Sequence, residues 1–143
     1  MIQIVRFFAT DTELIERAFA VRRKVFVDEQ GVDASLEYDE FETSANHYLL
    51  YYNAIAVGAA RWRKTSYGIK LERFAVLNEY RGKGFGDMLV KRVLDDVRLF
   101  GVTIYLHSQL KACGLYRRNG FVEEGAIFME AGIEHYKMAW KQS

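Results

Sequence analysis

The sequence predicts an α/β protein with one mixed sheet, largely antiparallel with one parallel step, flanked by helices. Three observations carry that. Residues 46–77 hold three runs rich in β-branched and aromatic residues, separated by short turn signals, as in an antiparallel meander. Residues 71–106 read strand, glycine-rich loop, amphipathic helix, strand, and a crossover of that kind joins parallel strands. Two more apolar runs, near 121–129 and 133–140, close the chain.

Each element has a local reason. Residues 2–8, Ile-Gln-Ile-Val-Arg-Phe-Phe, suit a first strand. Thr10 with Glu13 three residues on is a capping-box pattern that opens a helix. Leu14, Ile15, Ala18, Phe19, Arg22, Val25 and Phe26 then fall near helical spacing, and Gly31 ends the stretch. Asp33, Glu37, Asp39, Glu40 and Glu42 follow with no Lys or Arg among them and read as a charged surface segment. Strands at 46–52 and 54–63 meet tightly around Asn53, Thr65–Gly68 is a turn, and 69–77 is the next strand. After a polar loop, Phe85, Met88, Leu89, Val93, Val97 and Phe100 mark one face of a helix that Gly101 ends. Residues 102–106 form a short buried strand, and 111–118 a short helix stopped by Asn119-Gly120. The last two strands turn at Ala131-Gly132. No internal repeat, linker or low-complexity stretch interrupts this order.

Length and composition narrow the function. The 143 residues fit a single domain, 1–143, and half of them are apolar. Two Trp, nine Tyr and ten Phe exclude a disordered chain. Twenty Lys and Arg against nineteen Asp and Glu leave a net charge of +1, which disfavours a nucleic-acid partner. Arg81, Lys83, Lys91 and Arg92 give local basic charge without an RNA-binding motif. The lone Cys113 makes no internal disulfide, so a cytoplasmic location is expected. No stretch approaches the roughly 18 apolar residues of a membrane span, and Met1–Phe8 is too short and polar for a signal peptide. With no proline in the chain, Gly, Asn and Asp must make the turns.

The chemistry gathers at Arg81-Gly82-Lys83-Gly84-Phe85-Gly86, between a strand and a helix. Glycines let the backbone approach a ligand and present successive N–H groups, and a helix start adds partial positive charge. Arg81 and Lys83 add more, so the loop suits a phosphate or pyrophosphate rather than serving only as a tight turn. Asp87 and Met88 stand where a P-loop needs Lys and Ser or Thr. The glycine spacing, and the antiparallel strands before it, also fail the dinucleotide fingerprint.

On these residues the chain resembles the GNAT acyltransferases. Strand Leu71–Leu77 followed by Arg81-x-x-Gly84-x-Gly86 is similar to their acetyl-CoA signature. Gln109-x-x-Ala112-x-x-x-Tyr116-x-x-x-Gly120-Phe121 is similar to a second motif, with Gln109 where the wider superfamily often has Asn. A small bacterial-type branch is resembled along nearly the whole chain. It shows Arg22-x-x-Val25-Phe26-Val27-x-Glu29-Gln30, then Glu37, Asp39 and His47, then Ala131-Gly132-Ile133-x-His135-x-x-Met138. Glu134 replaces the branch's usual proline.

The resemblance implies a GNAT-like fold and an acetyl-CoA-dependent N-acetyltransferase acting on a primary amine of a small molecule by direct attack. It implies pyrophosphate on the amides of Gly82–Gly86, with Arg81, Lys83 and Phe85 beside it, and Gln109 and Tyr116 at the cofactor. It also implies pantetheine along Phe74, Ala75 and Val76, with a backbone N–H of Ala75 or a neighbour facing the thioester oxygen. Tyr116 matches the general acid that protonates the leaving thiolate, against the alternative of a tyrosine that only fills core. Arg22, Glu29, Gln30 and His135 match acceptor-pocket positions, though the first helix and its loop also have structural uses for them.

For the base, alternation puts Glu72, Phe74 and Val76 on one strand face and Leu71, Arg73 and Ala75 on the other. Glu72 is then a candidate to draw the ammonium proton, or simply an ion-pair partner. His107, after the fifth-strand run, is the rival base or an ordinary strand-end histidine. The three histidines have no short metal spacing and Cys113 has no partner cysteine, so no metal is expected. Cys113 between Ala112 and Gly114 suits helix packing better than nucleophilic catalysis. The acidic run is a solvated loop or an attractor for a cationic amine. Phe128, Met129, Tyr136, Met138 and Trp140 give the last strands an apolar surface, and a homodimer is expected. The alternative function is a non-catalytic acyl-CoA binding or sensing module of the same fold.

Overall fold

In the computed structural model, which describes residues 1–141, the first helix starts one residue later than the capping-box pattern predicts. Asp11 is the cap, its carboxylate accepting the Leu14 N–H at 3.2 Å, while Glu13 pairs with Arg17 one turn on. Helix α1 (Thr12–Arg22) buries Ile15, Ala18 and Val21 and follows strand β1 (Ile2–Phe7). It runs on into a wide π-helical turn, Arg23–Glu29, before Gly31 stops it in the left-handed region at φ 74°. π turns inside helices are frequent at functional sites, and this one sets Val25, Phe26 and Gln30 against the cavity described below.

Strands β2 (Asn46–Tyr52), β3 (Ile55–Thr65) and β4 (Gly68–Val76) form the expected meander. Helix α3 (Phe85–Val97) follows, after the short helix α2 (Ala34–Glu37) earlier in the chain. Strand β5 (Ile104–Gln109), helix α4 (Cys113–Arg118) and strands β6 (Phe121–Glu130) and β7 (Ile133–Trp140) complete the order. The fifth strand is shifted towards the C-terminus relative to the apolar run, so His107 lies within it rather than after it. Within the described residues the seven strands make one sheet, β1-β2-β3-β4-β5-β7-β6, in which β4 and β5 are the parallel pair.

Successive residues of β3 point to opposite faces, and this separates the two layers. Trp62 packs towards Phe100, just after α3, which itself buries Phe85, Leu89, Val90, Val93, Leu94 and Val97. Arg61 turns the other way, to acids of which one, Glu42, also holds Arg22 of α1. Burying six apolar side chains of this kind contributes on the order of 10 kcal/mol before chain entropy is counted.

Two expectations fail here. The acidic segment is not a solvated loop: Glu37 and Glu42 are 3% and 8% exposed. The last two strands do not present the predicted apolar face either. Met138 is fully buried, Phe128, Tyr136 and Trp140 are half-buried, and of those five only Met129 is exposed. Both strands belong to the sheet, with β7 inside it between β5 and β6, so Met138 is covered, while Met129 lies on the edge strand β6 near the turn and is not.

Candidate active site

The parallel step does not last. β4 and β5 pair only over Ile69–Leu71 and Ile104–Leu106, although β4 continues to Val76 and β5 to Gln109. Beyond that point the strands part, and their facing backbone edges line a cavity of about 740 Å³. An extended ligand with amide groups fits such a gap, because unpaired strand edges offer N–H and C=O groups in register.

One end of the cavity is backbone. Gly82 and Gly84 sit in the left-handed region at φ 79° and 83°, and a Cβ on either would meet nothing within 4 Å. Their glycines therefore serve conformation and open space, not packing. Gly84 starts α3 with no side-chain cap among the described residues, leaving first-turn N–H groups free for an anion. Gly86 differs, since it has no left-handed backbone and a Cβ there would meet Leu115 at 3.5 Å, an ordinary van der Waals contact between α3 and α4. Arg81 and Phe85 also line the cavity, whereas Lys83 does not. The Arg81 guanidinium donates to the Val76 carbonyl at 3.0 Å and to Glu29 at 2.7 Å, so its charge is shared with that acid. Glu29 accordingly braces the loop and is not part of the cavity lining.

Midway stands Tyr116, 7% exposed, edge-on to Phe74 and Phe121. Burial pushes its phenol above the ordinary tyrosine range, keeping it a donor at any neutral pH. Its hydroxyl has no hydrogen-bond partner among the described residues, yet no fully buried side-chain polar atom there is unpartnered. The hydroxyl therefore opens on the cavity that Tyr116 lines. Gln109 donates to Gln30 at 2.8 Å, joining β5 to the end of the π turn across the cavity. Cys113 is buried, its thiol 3.6 Å from the Gln109 carbonyl, which is helix packing.

The other end is built of side chains. A bulge in β4 places Arg73 at φ 58°, and the register with β3 slips by one between Glu72 opposite Arg61 and Ala75 opposite Ala59. Alternation alone therefore misassigns the strand beyond Glu72. Glu72 shares its face with Ala75, and Val76, opposite Gly58, shares the face of Leu71, opposite Trp62. Glu72 is held by Arg61 and Arg63 at 2.9 Å and by Lys70 at 3.3 Å. Burial works to raise its carboxyl, but the Arg61 charge and the Arg63 bond outweigh burial and hold it below the usual range.

The acids predicted to attract an amine are committed in the same way. Arg22 bonds Glu37 at 2.6 Å and Glu42 at 2.8 Å, Arg61 bonds Asp39 at 2.7 Å, and Arg73 bonds Asp39 at 3.2 Å. Arg22 is thus a buried structural residue and does not line the cavity. His47, also buried, bonds the Glu42 carbonyl at 2.8 Å.

Against β5 and β7 lies a group that sequence reasoning only half found. His107 Nδ1 is 3.0 Å from the Glu130 carboxylate, and His135 Nδ1 is 2.7 Å from the Ile133 carbonyl. Both acceptors lack hydrogens, so each Nδ1 carries the proton and each Nε2 is left with a lone pair in the neutral ring. The bond from His107 holds Glu130 below the usual carboxylate range. All three residues line the cavity. Glu130, Lys70, Arg61, Arg63 and Arg73 were missed. The available signal was an arginine at 61, amid the apolar small residues of β3. No group of three His, Cys, Asp or Glu side chains among the described residues is arranged to hold a metal ion.

Residues 10–142 match the family described as an acetyltransferase (GNAT) domain. The chain is 38% identical over 133 residues to the uncharacterized N-acetyltransferase YjcF of Bacillus subtilis (strain 168), covering 91% of this chain and 94% of that one. Its fold is similar to that of Escherichia coli ElaA, with a TM-score of 0.88 at 23% identity, covering 99% of this chain and all of that one. It is also similar to a GNAT family acetyltransferase from Elizabethkingia anophelis whose structure has acetyl-CoA bound, with a TM-score of 0.63 at 18% identity, covering 96% and 94% of the two chains.

Proposed function

The chain belongs to the GNAT acetyltransferase family, and on that premise we propose that it moves an acetyl group from acetyl-CoA to a primary amine of a small molecule by direct attack. One observation carries the reading: the free hydroxyl of Tyr116 faces the gap between the parted strands, between a bare glycine loop and a charged pocket. The acetyl-CoA-bound relative supports the choice of co-substrate.

Each group has a task. The amides of Gly82–Gly86 and the start of α3 take the pyrophosphate, and the unpaired edge of β4 around Phe74–Val76 takes the pantetheine arm. A backbone N–H on that edge stabilises the oxyanion. Glu72, held charged by three cations, is a poor proton acceptor, and in this reading the base is His107, whose Nε2 lone pair is set by the Nδ1–H bond to Glu130. His107 takes one proton from the ammonium. The amine nitrogen then attacks the thioester carbon, and a C–N bond forms. As the C–S bond breaks, its electron pair goes to sulfur, and Tyr116 supplies the proton. The nitrogen loses a second proton, which restores Tyr116 through solvent. The products are an amide, free thiol and one proton released to water.

Thiol release across a panel of amines tests the reading. Tyr116→Phe should lower kcat by about 10² to 10⁴ fold and leave the KM for acetyl-CoA nearly unchanged, the range for a general acid. His107→Asn should remove a neutral-pH limb of kcat/KM that remains in Glu72→Gln. If CoA binds but no amine releases thiol, the chain is an acyl-CoA binding module instead.

A further inference from the structure

Resting on that reading, we propose that the acceptor carries an anionic group, a carboxylate or a phosphate, seated on Lys70 and Arg63. These two residues stand opposite each other in the β3–β4 register, so their side chains share one face. Both line the cavity, and their side chains are 14% and 17% exposed. Like charges placed directly opposite are unfavourable unless something offsets them. Here Glu72 does so, but a single carboxylate serves Arg61, Arg63 and Lys70 together.

Counting donors shows what remains. Arg63 has five N–H groups and spends the one on Nε, with its guanidinium held 3.7 Å over the Phe41 ring. Lys70 has three and makes one ion contact, at 3.3 Å. Among the described residues no fully buried side-chain nitrogen or oxygen is unpartnered, so the unspent donors reach accessible surface, and both residues line the cavity. The carboxylates there are the reverse. Glu37 holds Arg22 and Arg73, Asp39 holds Arg61 and Arg73, Asp87 holds Arg118, and Glu130 holds His107. Among the described residues each carboxylate lining the cavity already has a partner, with Glu130 alone keeping an oxygen, Oε2, that accepts no hydrogen bond, so unspent donors outnumber open acceptors and the cavity suits an oxyanion better than a polyamine.

The site is not the cofactor's. Lys70 and Val76 pair with Arg63 and Gly58, five residues apart on β3 and roughly 16 Å at strand rise, so the glycine loop and Lys70 hold different ends of the cavity. His107 is close by. Lys70 lies opposite Tyr105 in the β4–β5 register, and His107 is two residues further on the same face, so roughly 8 Å separates Lys70 from His107 once the strand spacing is included. That spacing fits an amine and an oxyanion separated by a few bonds, as in a short amino acid or an aminoalkyl phosphate.

The test compares β-alanine, 2-aminoethyl phosphate and ethanolamine at saturating acetyl-CoA, reading thiol release. At least one anionic amine should exceed ethanolamine tenfold in kcat/KM, and the better of the two identifies carboxylate or phosphate. Equal rates, or a preference for ethanolamine, overturn the proposal while the acetyltransferase reading stands. Lys70→Met should raise the KM for the preferred anionic amine at least tenfold with a smaller change for ethanolamine, and an equal change for both overturns the proposal. The wild-type comparison does not depend on that variant folding. If none of the three amines is acetylated, inorganic phosphate is titrated calorimetrically into CoA-saturated protein. Binding that Lys70→Met abolishes supports the anion site without the enzyme reading, and absence of binding overturns it.

Discussion

The two ends of the cavity are made of opposite materials. At the glycine loop, the recognising groups are backbone N–H groups left bare by Gly82 and Gly84 and by the uncapped start of α3. At the other end they are side chains, with Arg61 at 0% exposure binding Asp39, Glu42 and Glu72 at once. A backbone site needs few residues and leaves the core alone. A side-chain site of buried charge is part of the core, and its members cannot be removed singly without leaving partners unpaired.

The largest expected effect follows from that difference. Arg61→Met leaves Asp39, Glu42 and Glu72 each short of one cation, with only Arg73, Arg22, and Arg63 with Lys70 remaining to them, and loss of one partner of a buried ion pair costs about 3–5 kcal/mol. Urea unfolding should show that loss with the m-value retained. A loss below about 1 kcal/mol would mean water reaches these acids readily, and the two ends would not differ in kind.

Gly84→Asp should do the converse. The new side chain has room, since nothing lies within 4 Å of a Cβ there, but it brings negative charge to an anion site. CoA affinity by calorimetry should fall at least tenfold, with Gly84→Asn falling less because it shares the shape without the charge. Both substitutions share the cost of a left-handed backbone, about 1–2 kcal/mol, so the difference between them isolates the charge. Equal affinities would remove the loop from cofactor binding.

The same division decides what sequence can reveal. The glycine loop was legible because its requirement is local: consecutive residues, a left-handed backbone and a helix start. Helix α3 was legible for the same reason. The network was not, because Glu37 and Arg22 are 15 residues apart and Arg73 and Asp39 are 34 apart. A run of acids without nearby cations reads as solvated until the fold brings arginines to it. Arg22 was a visible exception, a charge placed in the apolar stripe of α1. The bulge at Arg73 was invisible, as arginine has no preference for the left-handed region and the extra residue shows only against β3. Glu130 became meaningful only when the β6–β7 turn carried it to His107.

Acid should separate the two ends more gently. Burial opposes ionisation of Asp39, but the Arg61 bond and charge hold it down to about 2, and Glu42 and Glu72 lie below their usual range with their arginines. A depressed carboxylate stabilises the fold fully above its unfolded value, near 4, and loses that contribution as pH falls through the folded value. Burial also lowers His47, so the unfolded chain takes up that proton first, below about 6.5, and stability begins to fall there. Glu37, raised by burial, works the other way. The sum predicts a Tm that declines from pH 7 to 3 in calorimetric scans, steepest below pH 4. A flat profile would show that the ion network contributes nothing net to stability.

The smallest expected effect concerns the two helix starts, which repeat the contrast in miniature. Helix α1 is closed by a side chain, Asp11 accepting from the Leu14 N–H, whereas α3 begins at Gly84 without one. A capping carboxylate contributes about 1 kcal/mol, so Asp11→Ala should lower stability by that amount, and Thr10→Ala by a few tenths. Because the open start is the one at α3, CoA should raise the Tm of wild type and of Asp11→Ala equally, as independent sites add. Asp11 lies on the far side of α1 from the Arg22 end that joins the network, so any loss of CoA stabilisation in that variant would have to travel through α1 and the π turn to Glu29 and Arg81. A smaller CoA shift in Asp11→Ala would therefore show that the capped and open helix starts are coupled, and that the backbone end of the cavity depends on the side-chain end through α1.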